Sequence, residues 1–137
     1  MRFLIPFFLM FLSAAAQETY FEQAGKLYNI DPRILWAIAK HESRLNPEAK
    51  NINSNGTVDI GIMQINTIHL KELKKYNIGI KELYDPKTNI FVGAWVLSNC
   101  IKRYGSNRNA LTCYNGRIKG NNYAFKVIKQ LNKAEQR

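Results

Sequence analysis

The sequence predicts a mainly helical α+β domain with a small β element near its middle. Apolar residues recur at helical spacing along most of the chain, an Asp-Pro pair precedes two of these segments, and a cluster of Asn, Ser and Gly interrupts them. A chain of 137 residues with 46% hydrophobic and 22% charged residues can bury one core, which excludes a disordered protein. The absence of internal repeats and low-complexity tracts from the sequence excludes solenoid and fibrous classes.

Residues 1–16 have the order of a secretory signal peptide. Arg2 precedes the apolar run 3–12, and three alanines follow before Gln17. An anchoring helix is the alternative, but a bilayer-crossing helix needs about 20 apolar residues, and this run is shorter. We therefore expect export to an oxidising compartment, removal of residues 1–16, and a single domain over 17–137 with no stable membrane anchor.

Two helices are predicted in the first part of the domain. Apolar spacing places the first at 21–28, and Asp31 as N-cap with Pro32 at the first helical position begins the second. Asn46 before Pro47 is predicted to end it, because the residue before proline avoids the helical region. Residues 50–59 predict a loop, and the irregular apolar stretch 58–65 is the place for the small β element.

Further helices are predicted in the second part. One begins near Thr67, and a long central helix follows Asp85 and Pro86, covering about 88–104 with Gly105 as its stop. Two shorter helices are predicted at the end of the chain, at 109–114 and 123–131.

Positive charge is concentrated near the C-terminus. Residues 101–137 carry nine basic side chains and one acidic side chain. The alternatives are a solvated face that aids solubility, or attraction to a polyanion such as a cell-wall polymer or an anionic membrane. The sequence lacks a nucleic-acid motif, so we expect no nucleic-acid partner. Lys126, Lys129 and Lys133 share one side of the last helix and are predicted to strengthen wall binding.

Glu42 does not fit the apolar pattern around it. It continues the stripe of Leu35 and Ile38, so it is predicted to face the interior. Loss of hydration raises the pKa of a carboxyl group, and a protonated carboxyl is the general acid that glycosidic cleavage requires. The alternative is a structural ion pair with a buried Arg or Lys, which position alone favours.

Three motifs favour a catalytic role for Glu42 over a structural ion pair. The segments 42–47 (Glu-Ser-Arg-Leu-Asn-Pro), 61–66 (Gly-Ile-Met-Gln-Ile-Asn) and 114–116 (Tyr-Asn-Gly) resemble, in order, motifs of lytic transglycosylases. Matches at Asn89, Gly93 and Tyr123 extend the resemblance over the whole mature chain. In size, the chain looks most like the specialised enzymes of type III and type IV secretion and conjugation systems.

The resemblance implies a lysozyme-like fold and an enzyme that cleaves peptidoglycan between N-acetylmuramic acid and N-acetylglucosamine, leaving 1,6-anhydro ends. It implies Glu42 as the catalytic acid and base, with no cofactor and no metal. It also implies a monomer that acts on glycan strands for a secretion or conjugation machine. The alternatives are a lysozyme-type hydrolase, with Asp59 assisting water, and a non-catalytic wall-binding component.

The same resemblance gives the supporting residues. The residues expected to contact substrate are Ser43, Met63, Gln64, Asn66, Tyr114 and Asn115. Tyr114 matches the tyrosine that positions the catalytic acid. Gln64 and Asn66 lie two residues apart on one face of an extended stretch and suit sugar hydroxyls and acetamides, with loop capping as the alternative.

Two features near the third motif depart from the family pattern. Cys113 stands where the family has alanine, and Arg117 takes the usual place of its glycine. Cys113 and Cys100 are the chain's two cysteines, and in an exported protein they predict a disulfide, with two buried thiols as the alternative. For Asp59, a role in capping its loop is better supported than catalysis.

Overall fold

The computed structural model describes residues 17–116 and 122–136; the predicted signal peptide and Arg117 lie outside these ranges. Helices account for most of the described chain, and a small sheet lies between the second and third of them. In chain order the elements are α1 (Tyr20–Tyr28), α2 (Pro32–Ser43), β1 (Lys50–Ile52), β2 (Val58–Ile60), β3 (Ile65–Asn66), α3 (Leu70–Leu73), α4 (Ile80–Leu83), α5 (Pro86–Tyr104), α6 (Arg108–Tyr114) and α7 (Tyr123–Glu135). Short 3-10 turns precede and follow α3.

Helix α2 begins where the sequence predicts and ends earlier than predicted. Its N-cap is Asp31, whose side chain accepts a hydrogen bond from the backbone N–H of Arg33 at 2.9 Å. It ends at Ser43 because Arg44 adopts a left-handed conformation with φ 55°. The N–H groups of Arg44 and Leu45 then donate back into the last turn, which closes the helix before Pro47.

The three strands form an antiparallel sheet in the order β1-β2-β3. The prediction of a loop over 50–59 is therefore wrong for β1 and for the start of β2. All three residues of β1 are exposed, so this strand has no alternation of apolar and polar residues by which the sequence could reveal it. In the register, Asp59 of β2 lies between Asn51 of β1 and Asn66 of β3.

The core surrounds α5, which contacts α1, α2, α4 and α6, while α7 packs on α2. Gly93 lets α5 approach the turn after β2, because a Cβ at this position would lie 2.5 Å from Met63 Sδ. Helix α5 ends at Tyr104, with Gly105 as the predicted stop, and α7 extends four residues beyond the predicted end. The largest fully buried side chains are Leu35, Ile38, Ile60, Met63, Ile65, Leu83, Asn89, Ile90, Leu97 and Val127.

The predicted disulfide is present. Cys100 of α5 and Cys113 of α6 are bonded, with their Cα atoms 5.8 Å apart. The bond ties the end of α6, and therefore Tyr114, to the central helix. Among residues 17–116 and 122–136, no helix is long and apolar enough to cross a membrane.

Candidate active site

A cleft of about 690 Å³ lies between the sheet and the helices α2, α5 and α6. Most of the residues that were predicted from the sequence to form the site line this cleft. Of the candidates for catalysis and substrate contact, those that line the cleft are Glu42, Asp59, Gln64, Asn66, Tyr114 and Asn115. The cleft therefore brings together side chains from three separate segments of the chain.

Glu42 lies in the last full turn of α2 and faces this cleft. Its Oε1 accepts a hydrogen bond from the Tyr123 hydroxyl at 2.6 Å. Burial raises the pKa of Glu42 from its ordinary value of 4.5 to about 7, because the charged form loses hydration. The Tyr123 hydrogen bond lowers this pKa, and the nearby charge of Asp59 raises it. Near neutral pH the carboxyl can therefore both donate and accept a proton.

Tyr123 orients Glu42 from the opposite helix. Its side chain is 4% exposed, and its ring meets that of His41 edge-on, with ring centroids 5.3 Å apart. Burial and the charge of Glu42 raise the pKa of Tyr123 well above its ordinary value, so the phenol remains a hydrogen-bond donor. The packing of α7 on α2 therefore places the Tyr123 hydroxyl next to the Glu42 carboxyl.

Ser43, which the sequence predicted as a substrate contact, makes hydrogen bonds to the backbone in the structure. Its hydroxyl lies 2.6 Å from the carbonyl oxygen of Ile62, to which it donates, and it accepts from the backbone N–H of Asn46 at 3.1 Å. It is absent from the cleft lining. These bonds fix the C-terminal turn of α2, and so Glu42, against the turn that follows β2.

Asn89 fixes the same turn from the other side. This side chain is 0% exposed, and its Nδ2 donates to the carbonyl oxygens of Ile60 at 2.8 Å and Leu83 at 2.7 Å. Its Oδ1 accepts from the backbone N–H of Met63 at 2.8 Å. Gly61 must be a glycine here, since its φ is +80° and a Cβ would lie 2.2 Å from Asn89 Nδ2.

Met63 and Tyr114 form a contact that the sequence did not predict. The Met63 side chain is fully buried, so it cannot make the expected substrate contact, and it packs against Gly93 instead. Its carbonyl oxygen accepts from the Tyr114 hydroxyl at 2.8 Å. Tyr114, the tyrosine expected to position the catalytic acid, thus bonds to the turn beside Glu42, and Tyr123 makes the direct bond to Glu42.

The two amide side chains line the cleft and also hold its wall together. Gln64 has φ 54°, and its Nε2 donates to the carbonyl oxygens of Gly61 at 3.0 Å and Ala49 at 3.2 Å. Asn66 Nδ2 donates to Asp59 Oδ1 at 2.9 Å, and its Oδ1 accepts from the N–H of Ile68. The loop-capping role is thus present alongside the predicted position in the cleft.

Asp59 faces the same cleft from β2. Its Oδ1 accepts from Asn66, and its Oδ2 accepts from Asn53 Nδ2 at 3.1 Å. Both oxygens are therefore acceptors in a network that joins the β1–β2 turn to β3. This network agrees with the predicted role of Asp59 in capping its loop. The structure also places Asp59 in the same cleft as Glu42.

Helix α5 contributes residues that the sequence analysis did not single out for the site. Trp95, Asn99 and Arg103 line the cleft at four-residue intervals, and the ring of Trp95 meets that of His69 edge-on. The four-residue spacing is visible in the sequence. It lies within a helix that was interpreted as part of the core, so it did not indicate a surface of the cleft. Within the described residues, His, Cys, Asp and Glu form no group of three or more that could hold a metal ion.

A carboxyl with a pKa near 7 in a cleft walled by amides and aromatic rings suits the cleavage of a glycan. The model of the transglycosylase SLT domain family matches residues 19–136. The chain belongs to this family. The assignment as a lytic transglycosylase, made from the sequence motifs, is thereby confirmed.

Similar proteins come from several bacteria. Invasion protein IagB of Salmonella typhimurium is 40% identical over 114 residues, covering 82% of this transglycosylase and 71% of IagB. Protein IpgF of Shigella flexneri is 35% identical over 108 residues, covering 78% and 71%. The X polypeptide of Escherichia coli is 36% identical over 116 residues, covering 83% and 69%.

A solved structure shows the fold. It is that of the lytic transglycosylase Slt inactive mutant E503Q from Pseudomonas aeruginosa, with TM-score 0.62 and 23% identity. The match covers 88% of this chain and 22% of the larger protein. The mainly helical α+β class and the lysozyme-like fold predicted from the sequence are confirmed.

Proposed function

We propose that this transglycosylase cleaves peptidoglycan between N-acetylmuramic acid and N-acetylglucosamine and leaves 1,6-anhydro-muramic acid ends. The observation that carries the proposal is Glu42, a largely buried carboxyl with a pKa of about 7 that faces the cleft. Such a group serves both as general acid and as general base at neutral pH.

The reaction needs one carboxyl in two steps. Glu42 first donates its proton to the glycosidic oxygen as the bond from C1 of the muramic acid breaks. The carboxylate then accepts the proton of the 6-hydroxyl as that oxygen bonds to C1, which restores the acid. The acetamido group of the substrate stabilises the positive charge at C1 between the two steps, in place of a second carboxylate.

The surrounding residues divide into two groups. Tyr123 binds the carboxyl directly, while Ser43, Asn89 and Tyr114 fix the turn beside it. In the proposed complex the side chains of Gln64, Asn66 and Asn115 face the sugars, because they line the cleft and amides both donate to and accept from hydroxyls and acetamides.

The cellular setting belongs to the same proposal. The name of the Salmonella relative, an invasion protein, supports a role in opening the wall locally for a secretion or conjugation apparatus. Residues 1–16 would direct the enzyme to the periplasm, where it would act as a monomer. Lys126, Lys129 and Lys133 are all exposed on α7 and would add attraction to anionic wall polymers, which salt weakens.

The proposal is tested by mass spectrometry of the muropeptides that the purified enzyme releases from peptidoglycan. We expect 1,6-anhydro products from the wild type and none from Glu42→Gln. Products with reducing ends would instead establish the hydrolase, which the position of Asp59 in the cleft makes the second candidate. Binding without any product would establish the non-catalytic wall-binding component.

A further inference from the structure

One stripe of α5 forms a floor of the cleft. Trp95, Asn99 and Arg103 recur every four residues and all line it. At a rise of about 1.5 Å per residue, the stripe spans about 12 Å, a length that extends past a single sugar ring. The disulfide from Cys100 to Cys113 places the Arg103 end of the stripe beside the segment that carries Tyr114.

Charge distinguishes the Arg103 end from the rest of the cleft. Among the described residues that line the cleft, Arg103 is the sole Lys or Arg side chain. The three acidic lining residues are Glu42, Asp59 and Glu72. Arg103 is exposed, and its guanidinium lies 6.0 Å from the ring centre of Tyr104. The side chain is therefore accessible to a bound strand.

Neutral sugars do not require this cation. Hydroxyls and acetamides are matched by the amide side chains along the wall, and the proposed acid–base chemistry needs Glu42 alone. Peptidoglycan strands also carry stem peptides with carboxylates, and a planar guanidinium binds a carboxylate through two parallel hydrogen bonds. The cation in the cleft thus matches the charged part of the substrate rather than the glycan backbone.

A purely structural explanation would treat Arg103 as one of the basic residues that balance the C-terminal dipole of α5. Lys102 shares that last turn and is exposed, but it does not line the cleft. The helix dipole explains a basic residue at position 102 and at position 103 equally. Of the two side chains, Arg103 is the one that lines the cleft.

We propose that Arg103 binds a carboxylate of the stem peptide and makes the enzyme prefer strands that carry charged stems. This specificity rests on the proposed function, because it assigns part of the substrate to the same cleft. Arg103 then selects which strands are cut, while Glu42 performs the chemistry.

The test measures kcat/KM on three preparations of one glycan: native strands, strands whose carboxyls are converted to methylamides, and strands stripped of stems by an amidase. For the wild type at low salt we expect a roughly two- to fivefold preference for native over methylamidated strands, given the modest strength of exposed ion pairs. In Arg103→Gln this ratio falls to about one, and high salt lowers it in the wild type.

Lys102→Gln is the matched control, since it removes the same charge from the same helical turn and should keep the wild-type ratio. An equal loss in Lys102→Gln, or an unchanged ratio in Arg103→Gln, would overturn the inference. Amidase treatment leaves a carboxylate on the lactyl group of the sugar. In native strands this carboxyl is bound in the amide to the stem, so an Arg103→Gln effect on native strands that persists equally on methylamidated strands would show a contact with a group other than a stem carboxylate and overturn the assignment to the peptide.

Binding measurements separate this inference from the proposed function. Affinities of the native and methylamidated strands are compared for Glu42→Gln with and without Arg103→Gln. Loss of the native-strand preference on adding Arg103→Gln supports the inference even if the wild type shows no turnover. Anhydro products from the wild type with no charge preference in binding or turnover would leave the proposed function intact and overturn the role of Arg103.

Discussion

Glu42 and Asp59 are two carboxyl groups in one cleft with opposite surroundings. Glu42 sits at the end of an apolar helical stripe, and Tyr123 donates to one of its oxygens. Asp59 lies on a strand, where Asn53 and Asn66 each donate to one of its oxygens. Burial raises the pKa of Glu42 to about 7. The comparison shows that the surroundings, and not the residue type, prepare one of the two for proton transfer.

The largest expected effect follows from removing the acid itself. Glu42→Gln keeps the shape of the side chain and can still accept from Tyr123, but it cannot transfer a proton in either step. General acid–base catalysis contributes about a hundredfold to ten-thousandfold, and one residue serves both steps here, so we expect a loss of about ten-thousandfold in kcat. Release of soluble muropeptides measures it, with circular dichroism to establish folding. Near-normal turnover in the folded variant would exclude Glu42 as the catalyst.

The contrast between the two carboxyls was partly visible in the sequence. The helical stripe and the motif placed Glu42 correctly, because both depend on residues close in sequence. The partner of Glu42 is Tyr123, 81 residues away, and this contact depends on how α7 packs on α2. A motif match named Tyr123 but gave it no role, and the resemblance named Tyr114 as the tyrosine that positions the acid.

Residues that support the site through the backbone were the hardest to interpret. Ser43 and Met63 stand in motifs that the resemblance associates with substrate, yet the Ser43 hydroxyl and the Met63 carbonyl hold the turn between β2 and β3. The sequence does not record whether a side chain or a carbonyl makes the contact. The exposed strand β1 was missed for a similar reason, since its pairing with β2 is made by backbone groups.

The second prediction concerns stability against pH. The pKa of Glu42 is about 7 in the folded protein and near the ordinary 4.5 when unfolded, so between these values the folded state binds more protons. Stability contributed by Glu42 is therefore full below about pH 4.5 and is lost as the pH rises to about 7. At about 1.4 kcal/mol for each pH unit, the loss amounts to about 3 kcal/mol.

Glu42→Gln removes this dependence. We expect the free energy of unfolding of the variant minus that of the wild type to be about 3 kcal/mol larger at pH 8 than at pH 4.5, because only the wild type loses the Glu42 contribution over this range. Urea titrations of both proteins at the two pH values measure the difference, and shared contributions of other groups cancel. A constant difference between the two proteins at both pH values would contradict the raised pKa.

Tyr123→Phe tests the hydrogen bond that distinguishes Glu42 from a merely buried carboxyl. The bond lowers the pKa of Glu42, so its loss raises this pKa and moves the alkaline decline of kcat/KM to higher pH. Poorer orientation of the acid should also reduce kcat by about tenfold. Tyr114→Phe is the control, since it removes a cleft hydroxyl bonded to Met63 and should leave the alkaline limb in place. A profile that does not move would mean that Tyr123 acts through packing alone.

The smallest effect is expected on the sheet side of the cleft. The charge of Asp59 raises the pKa of Glu42, so Asp59→Asn should lower that pKa and move the alkaline limb to lower pH, opposite to Tyr123→Phe. Activity below the shifted limb should remain within a few-fold of wild type, because Asp59 takes no proton in the proposed reaction, and the pH profile of kcat/KM measures both effects.

An Asn side chain has one acceptor oxygen where Asp59 has two, so the bond to either Asn53 or Asn66 is lost, and folding must be verified by thermal unfolding. Inactivity of the folded variant at every pH would place Asp59 in the chemistry, and the two carboxyls would then act as the pair of a hydrolase.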